Sequence, residues 1–384
     1  MVTRGSLVLH DWWGHPFQAG LSRELAGRGR VVRHLYRAVG ETPRGALAVG
    51  PGDPPSLSFG AVADGGRGLR GAWRYAAAVG RELPGRGAVL LSGNAPPLVQ
   101  AALLLRARWS GAVFVHWLQD VRSAQGRGPG RRWCRAVEAW TARHSDRVVA
   151  VCPQFARWAR RVARVAAGRV AVVPNWGDLA VRAAGPDRPD GEVLLYTGTL
   201  DGRHAPGLLL ALAEACERAG RGRVVVATRG AGRVLLERAR HELGLSRLEL
   251  RDWVGYGELP AVLGGASVLL VTLAGRGAAQ SVPSKLPAFL CAGRCVLLAA
   301  PAGSASAELG RGSGGAVVVG PDDPDGFAAA ALALLADPDR RARLAAAGRE
   351  FAEREFAPGR IADRFLPLLA APAGGGPSRK ERHR

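Results

Sequence analysis

Gly185-Pro186-Asp187-Arg188-Pro189-Asp190-Gly191 is followed by Glu192 and then by Val193-Leu194-Leu195-Tyr196-Thr197. The first segment has the proline, glycine and charge of a linker; the second is a continuous apolar run of strand length. Upstream of the linker, strand-like runs at 7–10, 31–35, 88–92, 112–116, 147–152 and 170–173 alternate with helical patterns near 17–28, 69–83, 97–109, 131–145 and 153–166. At Val193 the alternation starts again. Strand-like runs at 193–197, 223–228, 248–251, 267–272, 295–300 and 316–319 alternate with helical patterns near 206–219, 231–243, 284–292, 304–310, 325–336, 338–355 and 359–370. Strands that are apolar along their whole length are buried on both faces, as in parallel sheets flanked by helices. The expected fold is therefore α/β, with two doubly wound domains over residues 1–185 and 186–358. If the two sheets face each other, their carboxyl ends meet at one cleft, the usual place for a ligand. Residues 372–384 have the composition of a disordered tail.

The chain has 384 residues and 47% hydrophobic content, enough for two cores. Its 53 glycines and 25 prolines fall between apolar runs and read as turns. No apolar stretch is long enough for a transmembrane helix, and the start of the chain shows no signal-peptide pattern. The five cysteines, Cys134, Cys152, Cys216, Cys291 and Cys295, lack metal-ligand spacing with histidine and suit reduced thiols in a cytosol. Charge is uneven. Residues 1–185 hold 27 arginines against 10 acidic residues, and nine of the ten tryptophans; residues 186–384 hold 26 basic residues against 22 acidic ones. Codon bias would load both halves equally. A basic, tryptophan-rich half fits an acidic partner, either an anionic membrane surface or nucleic acid.

Lys285 is one of only two lysines among 53 basic residues; the other, Lys380, lies in the tail. It follows Val282-Pro283-Ser284 and opens a short apolar helix closed by Gly293. An ammonium among the free N–H groups of a helix start makes an anion site, and a diphosphate is its natural guest. A lysine on a solvated first turn fits the same segment. Tyr196-Thr197-Gly198-Thr199-Leu200 ends a strand, with a helix opening near Pro206. Gly198 permits close backbone approach, and Arg203 in the loop adds positive charge. Glu308 stands in the first turn of the helix after Ala299-Ala300-Pro301, where a carboxylate can accept from two sugar hydroxyls or simply complement the helix dipole. In the first half, His116 and Asp120 emerge at a strand end, placed to orient a sugar or take a proton, or to serve as a core histidine and a capping aspartate. Asn94 sits in another strand-end loop. Trp12, Trp13 and His15 follow the first strand and are expected to line an acceptor pocket. Arg157, Trp158 and Arg161 lie on a basic amphipathic pattern, as do Arg131, Arg132, Trp133 and Arg135; such helices lie on anionic lipid or pack on a sheet. There is no nucleophile elbow, Walker-type loop or Asp-x-Asp motif at a strand end, and no metal is expected.

Taken together, Ser92 to Pro97, His116 to Asp120, Val173-Pro174-Asn175-Trp176-Gly177-Asp178, Tyr196 to Leu200, Val282 to Gly293 and Gly314 to Asp323 resemble, in order, the glycosyltransferase family 4 group of GT-B enzymes. The likeness covers nearly the whole chain and is nearest to bacterial transferases of the colanic-acid and O-antigen type. It implies two Rossmann-like domains, with the nucleotide-sugar held mainly by the second and a last helix, 359–371 here, crossing back to the first. It implies a retaining transfer, without metal or other cofactor, from a nucleotide diphosphate sugar to a glycan acceptor linked to polyprenyl diphosphate, at the inner face of the membrane. In those roles Lys285 stabilises the leaving diphosphate, aided by Ser284, Gly198, Thr199 and Arg203. Glu308 holds sugar hydroxyls, and His116 and Asp120 orient donor and acceptor. One departure stands out. Many family members place two glutamates eight residues apart, where this chain has Gln280 and Ala288. The family's first Gly-rich loop is also replaced, by Trp12-Trp13-Gly14. Two other readings follow from the sequence: a catalytically inactive GT-B subunit, and a nucleic-acid-binding protein whose only support is the net charge of +21.

Overall fold

The computed structural model describes residues 6–38, 47–125, 130–179, 181–183, 191–201, 204–274 and 284–370. The first part of the chain runs β1 (Leu7–Asp11), α1 (Pro16–Gly27), β2 (Val32–Arg37), β3 (Leu57–Val62), α2 (Gly68–Arg81), β4 (Val89–Gly93), α3 (Pro97–Ser110) and β5 (Val113–Leu118). It continues with α4 (Arg122–Gln125), α5 (Gly130–His144), β6 (Arg147–Ala150), α6 (Pro153–Arg161) and β7 (Val170–Val172). The second part runs β8 (Val193–Thr197), α7 (Pro206–Ala219), β9 (Arg223–Ala227), α8 (Ala231–Glu242), β10 (Leu248–Arg251), α9 (Leu259–Gly264), β11 (Val268–Thr272) and α10 (Lys285–Ala292). Then come β12 (Val296–Ala299), α11 (Ala305–Gly312), β13 (Ala316–Val319), α12 (Pro324–Ala336), α13 (Pro338–Glu355) and α14 (Pro358–Phe365).

Two wholly parallel sheets result, ordered β3-β2-β1-β4-β5-β6-β7 and β10-β9-β8-β11-β12-β13. The apolar runs Leu7-Val8-Leu9, Val89-Leu90-Leu91 and Val268-Leu269-Leu270 are buried on both faces, as helices on each side require. Each sheet reverses its strand order once, between β1 and β4 and between β8 and β11. At such a switch point the loops part, and ligands bind outside the carboxyl ends.

Several elements differ from the sequence expectation. The edge strand β3 was not foreseen: Leu57-Ser58-Phe59-Gly60-Ala61-Val62 mixes polar and small residues, because only one neighbour pairs with it. The helix expected over 153–166 stops at Arg161. Arg164 takes a left-handed φ of 56°, and the chain turns Ala163 and Val165 into the core. The short helices α4 and α9 were also missed. Pro367 breaks the last helical pattern, so α14 gives way to a 3-10 turn over Leu366–Leu369.

The last helix packs on α1 of the first part. Arg28 bonds Asp363 and, at 2.8 Å, the Gly359 carbonyl. Phe365 lies 5.0 Å from Trp117 and 5.9 Å from Trp176, while Trp176 stacks on Trp117 at 5.6 Å and 12°. These rings belong to one core that also holds Leu286, Phe289 and Leu290 of α10. Residues from both sheets thus share apolar packing. All five cysteines are free.

Candidate functional site

At the switch point of the second sheet the turn after β8 meets the start of α10. Gly198 has φ 109°, a value L side chains avoid, and a Cβ placed there would lie 2.6 Å from Lys285 Cε and 3.1 Å from Nζ. The absence of a side chain is what admits the lysine. Its ammonium sits 3.7 Å from the Tyr196 ring centroid and 3.5 Å from the Thr199 carbonyl oxygen. Tyr196 is held by its own hydroxyl, which donates to Thr199 O at 2.7 Å. The turn is pinned from the end of β9 and the start of α8: Thr228 Oγ1 donates to Gly198 O at 2.6 Å, and Gly232 N to Leu200 O at 3.0 Å. Burial pulls the Lys285 pKa down to about 7, with the Asp201 carboxylate opposing the shift. Such an ammonium is short of negative charge, and an anion beside it restores its proton. Ser284 is the N-cap of α10 but makes no side-chain capping bond. Ala288 lies one turn beyond Lys285. Arg203 and Gln280 lie outside the described residues.

Next to the switch point of the first sheet, a small cleft is lined by Asn94, Gln100, His116, Gln119, Asp120 and Glu138, among others. Among the described residues, His116 Nδ1, Gln100 Oε1 and Gln119 Nε2 are buried without a hydrogen-bond partner. Buried polar atoms are normally satisfied, so these suit a ligand rich in hydroxyls. Burial pushes the His116 pKa down to about 4, so the imidazole is neutral at physiological pH and can donate or accept. Asn94 takes a left-handed φ of 60° and donates to the Gln119 side-chain carbonyl. Glu138, inward-facing on α5, accepts from Arg122 N at 2.9 Å and Ser123 N at 3.2 Å. It thereby fixes the turn that carries Asp120. Burial raises its pKa, and nearby Asp120 adds to the rise.

Glu308 stands in the first turn of α11, whose N-cap Ser304 accepts from Ala307 N at 3.2 Å. It faces the first part of the chain: Gln154 Nε2 reaches Glu308 Oε2 at 3.5 Å and the Gly303 carbonyl at 3.3 Å. Glu308 therefore sits where the two halves meet. The Trp12 expectation needs correction. Its ring is buried against Tyr75 at 4.8 Å and beneath the Arg37 guanidinium, so it packs as a core residue. Trp13 stays exposed. His15 is tied by its backbone N–H and by Nδ1, at 3.0 Å, to the buried Asp11 carboxylate. Burial alone would raise the Asp11 pKa, but His15 more than offsets it and holds the group below the usual carboxylate range. Helix α6 turns Phe155, Ala156 and Ala159 into the core, with Trp158 packed against it. Its apolar stripe is a packing stripe, and Arg157 and Arg161 remain exposed.

Residues 19–181 match the profile of Glycosyltransferase Family 4. Sucrose-phosphate synthase from Thermosynechococcus elongatus superposes with a TM-score of 0.74 at 18% identity, over 95% of this chain and 98% of that one. HepE of Anabaena, solved with UDP, gives 0.70 at 14% identity, over 95% and 99%. WaaG, described as a glycosyltransferase of lipopolysaccharide biosynthesis, gives 0.67 at 15%, over 96% and 100%. This chain has the GT-B fold of these glycosyltransferases, and its residues 19–181 carry the family 4 profile. No curated protein matches it by sequence. The structure joins Gly198, Thr199 and Lys285 at one switch point, and Asn94, His116 and Asp120 in one cleft. Tyr196, Gln100, Gln119 and Glu138 went unread as site residues. Their neighbours in the site are brought together by the fold, and no local spacing marks them.

Proposed function

We propose that this chain is a glycosyltransferase that takes its sugar from a nucleotide diphosphate donor bound between Gly198 and Lys285. The observation that carries the reading is the half-buried ammonium held over the Tyr196 ring at the end of β8. When the bond from the anomeric carbon to the diphosphate breaks, negative charge grows on the departing oxygen, and Lys285 with the N–H groups opening α10 stabilises it. An acceptor hydroxyl forms the new bond from the same face, so the anomeric configuration is kept, and its proton leaves with the diphosphate. His116 and Asp120 orient donor and acceptor, and Glu308 holds hydroxyls of the ribose or sugar. No metal is needed for these steps, because the protein's own groups meet the charge. The acceptor is a glycan on polyprenyl diphosphate at the cytoplasmic membrane face, in cell-surface polysaccharide synthesis. Support comes from the basic first half of the chain, the glycan-building neighbours and the described residues, in which no helix is long and apolar enough to cross a membrane.

The test is release of nucleoside diphosphate from a panel of nucleotide sugars offered with lipid-linked acceptors, with the product anomer read by NMR. Turnover by the wild type, a retained anomer and loss in Lys285→Ala are expected. Inversion would remove the retaining step. One observation favours a second reading, an inactive binding subunit: Ala288 places a methyl group on the face of α10 where the family often carries a glutamate. Nucleotide-sugar binding without turnover would select it.

A further inference from the structure

Four of the nine tryptophans in the first half of the chain, and nine of its 27 arginines, lie on one helical layer. Helix α3 packs between α2 and α5. These three helices hold nine arginines and one acidic residue, Glu138, which is buried. Each helix also turns an apolar pair toward solvent: Leu69 and Trp73 on α2, Leu105 and Trp109 on α3, Trp133 and Trp140 on α5. Spacings of four, four and seven residues put each pair on one stripe. The stripes are joined. Trp73 meets Trp109 edge-on at 5.2 Å, and the Arg106 guanidinium lies 5.6 Å from the Trp109 ring. Arg108 donates to the His144 carbonyl, and the His144 ring lies 4.8 Å from Trp140. Trp109 is 70% exposed and Trp133 53%, although such rings are normally buried.

We propose that the outer face of α2, α3 and α5 docks on an anionic lipid bilayer. Tryptophan settles at the headgroup level, where its ring is in apolar surroundings and its N–H stays wet. Arginine is drawn by the negative surface potential, and no exposed carboxylate on these helices opposes it. Nucleic acid would share the charge preference, but it stacks its bases on aromatics along a groove, and this face is the outside of a helix layer. The placement deepens the proposed function, on which its purpose rests. Glu138 points inward from α5 to the turn of the His116 cleft, while Trp133 and Trp140 point outward. The cleft is thus about one helix diameter, ~10 Å, from the lipid, within reach of a lipid-linked acceptor.

Sedimentation of the full chain with phosphatidylglycerol-containing vesicles, against pure phosphatidylcholine vesicles, tests the assignment. Binding to the anionic vesicles should be at least about tenfold stronger and fall with added salt. Replacing Trp73, Trp109, Trp133 and Trp140 together by Ser should abolish it without lowering the melting temperature. Brominated lipid should quench wild-type tryptophan fluorescence, a readout that needs no variant. Absence of binding at low salt, binding that survives the four substitutions, or no quenching would each overturn the proposal. So would tight binding of a single-stranded oligonucleotide that the substitutions remove and vesicles do not compete. Nucleotide-dependent melting of the same variant reads the donor site separately, so failure of docking is distinct from failure of the transferase reading.

Discussion

Lys285 carries a full positive charge near neutral pH only when something anionic sits beside it. Its pKa of about 7 in the free protein comes from burial, and a bound diphosphate reverses the shift. Above pH 7 binding therefore takes up a proton, and affinity for a nucleoside diphosphate should fall as pH rises. Titration calorimetry in buffers of different ionisation enthalpy checks this. Lys285→Arg, charged throughout, should lose the pH dependence; an unchanged profile would remove Lys285 from the binding step. Gly198→Ala makes the complementary change. Its methyl group would meet Lys285 Cε at 2.6 Å on a backbone with φ 109°. Transfer should drop about 10²–10³-fold, the cost of losing one well-placed charge-stabilising group. The rarity of lysine made Lys285 legible in the sequence. The Tyr196 ring beneath it was not, because strand and helix are brought together only by the sheet order.

At the scale of elements, Pro174-Asn175-Trp176-Gly177 gains its meaning from helix α10. Trp176 stacks on Trp117, and Gly177 lies so close to α10 that a Cβ would come within 2.5 Å of the Pro287 carbonyl oxygen and Cys291 Sγ. The segment seats the helix that presents Lys285. Gly177→Ala should lower stability by about 1–3 kcal/mol, as overpacking does. It should also weaken nucleotide binding, although residue 177 touches no ligand. Thermal melting with and without nucleoside diphosphate separates the two effects; unchanged binding would show that the seat does not set the site. The motif was visible as a resemblance, but its packing partner was not. The basic stripe of α6 was legible only as amphipathic, a pattern that suits core packing and lipid equally. Burial of Phe155 and Ala159 decides for packing there, whereas α5 leaves both its tryptophans outside.

Across the whole molecule, the two doubly wound sheets were readable because buried parallel strands are unbroken apolar runs. The edge strand β3 lacked that signature, and the docking of α14 was expected from the family resemblance alone, not from any local signal. Phe365 closes the cluster of Phe17, Trp117 and Trp176 and is fully buried. Phe365→Ala should cost about 3–5 kcal/mol in a denaturant titration. A loss below about 1 kcal/mol would mean that the last helix is a loose appendage.

The central claim is that the junction of Gly198 and Lys285 binds a nucleotide diphosphate. Thermal melting of the wild type and of Lys285→Ala against UDP, GDP, ADP and their sugar conjugates tests it most directly. One nucleotide should raise the wild-type melting temperature in a concentration-dependent way and leave the variant unmoved. No response to any of them, or an equal response in the variant, would contradict it.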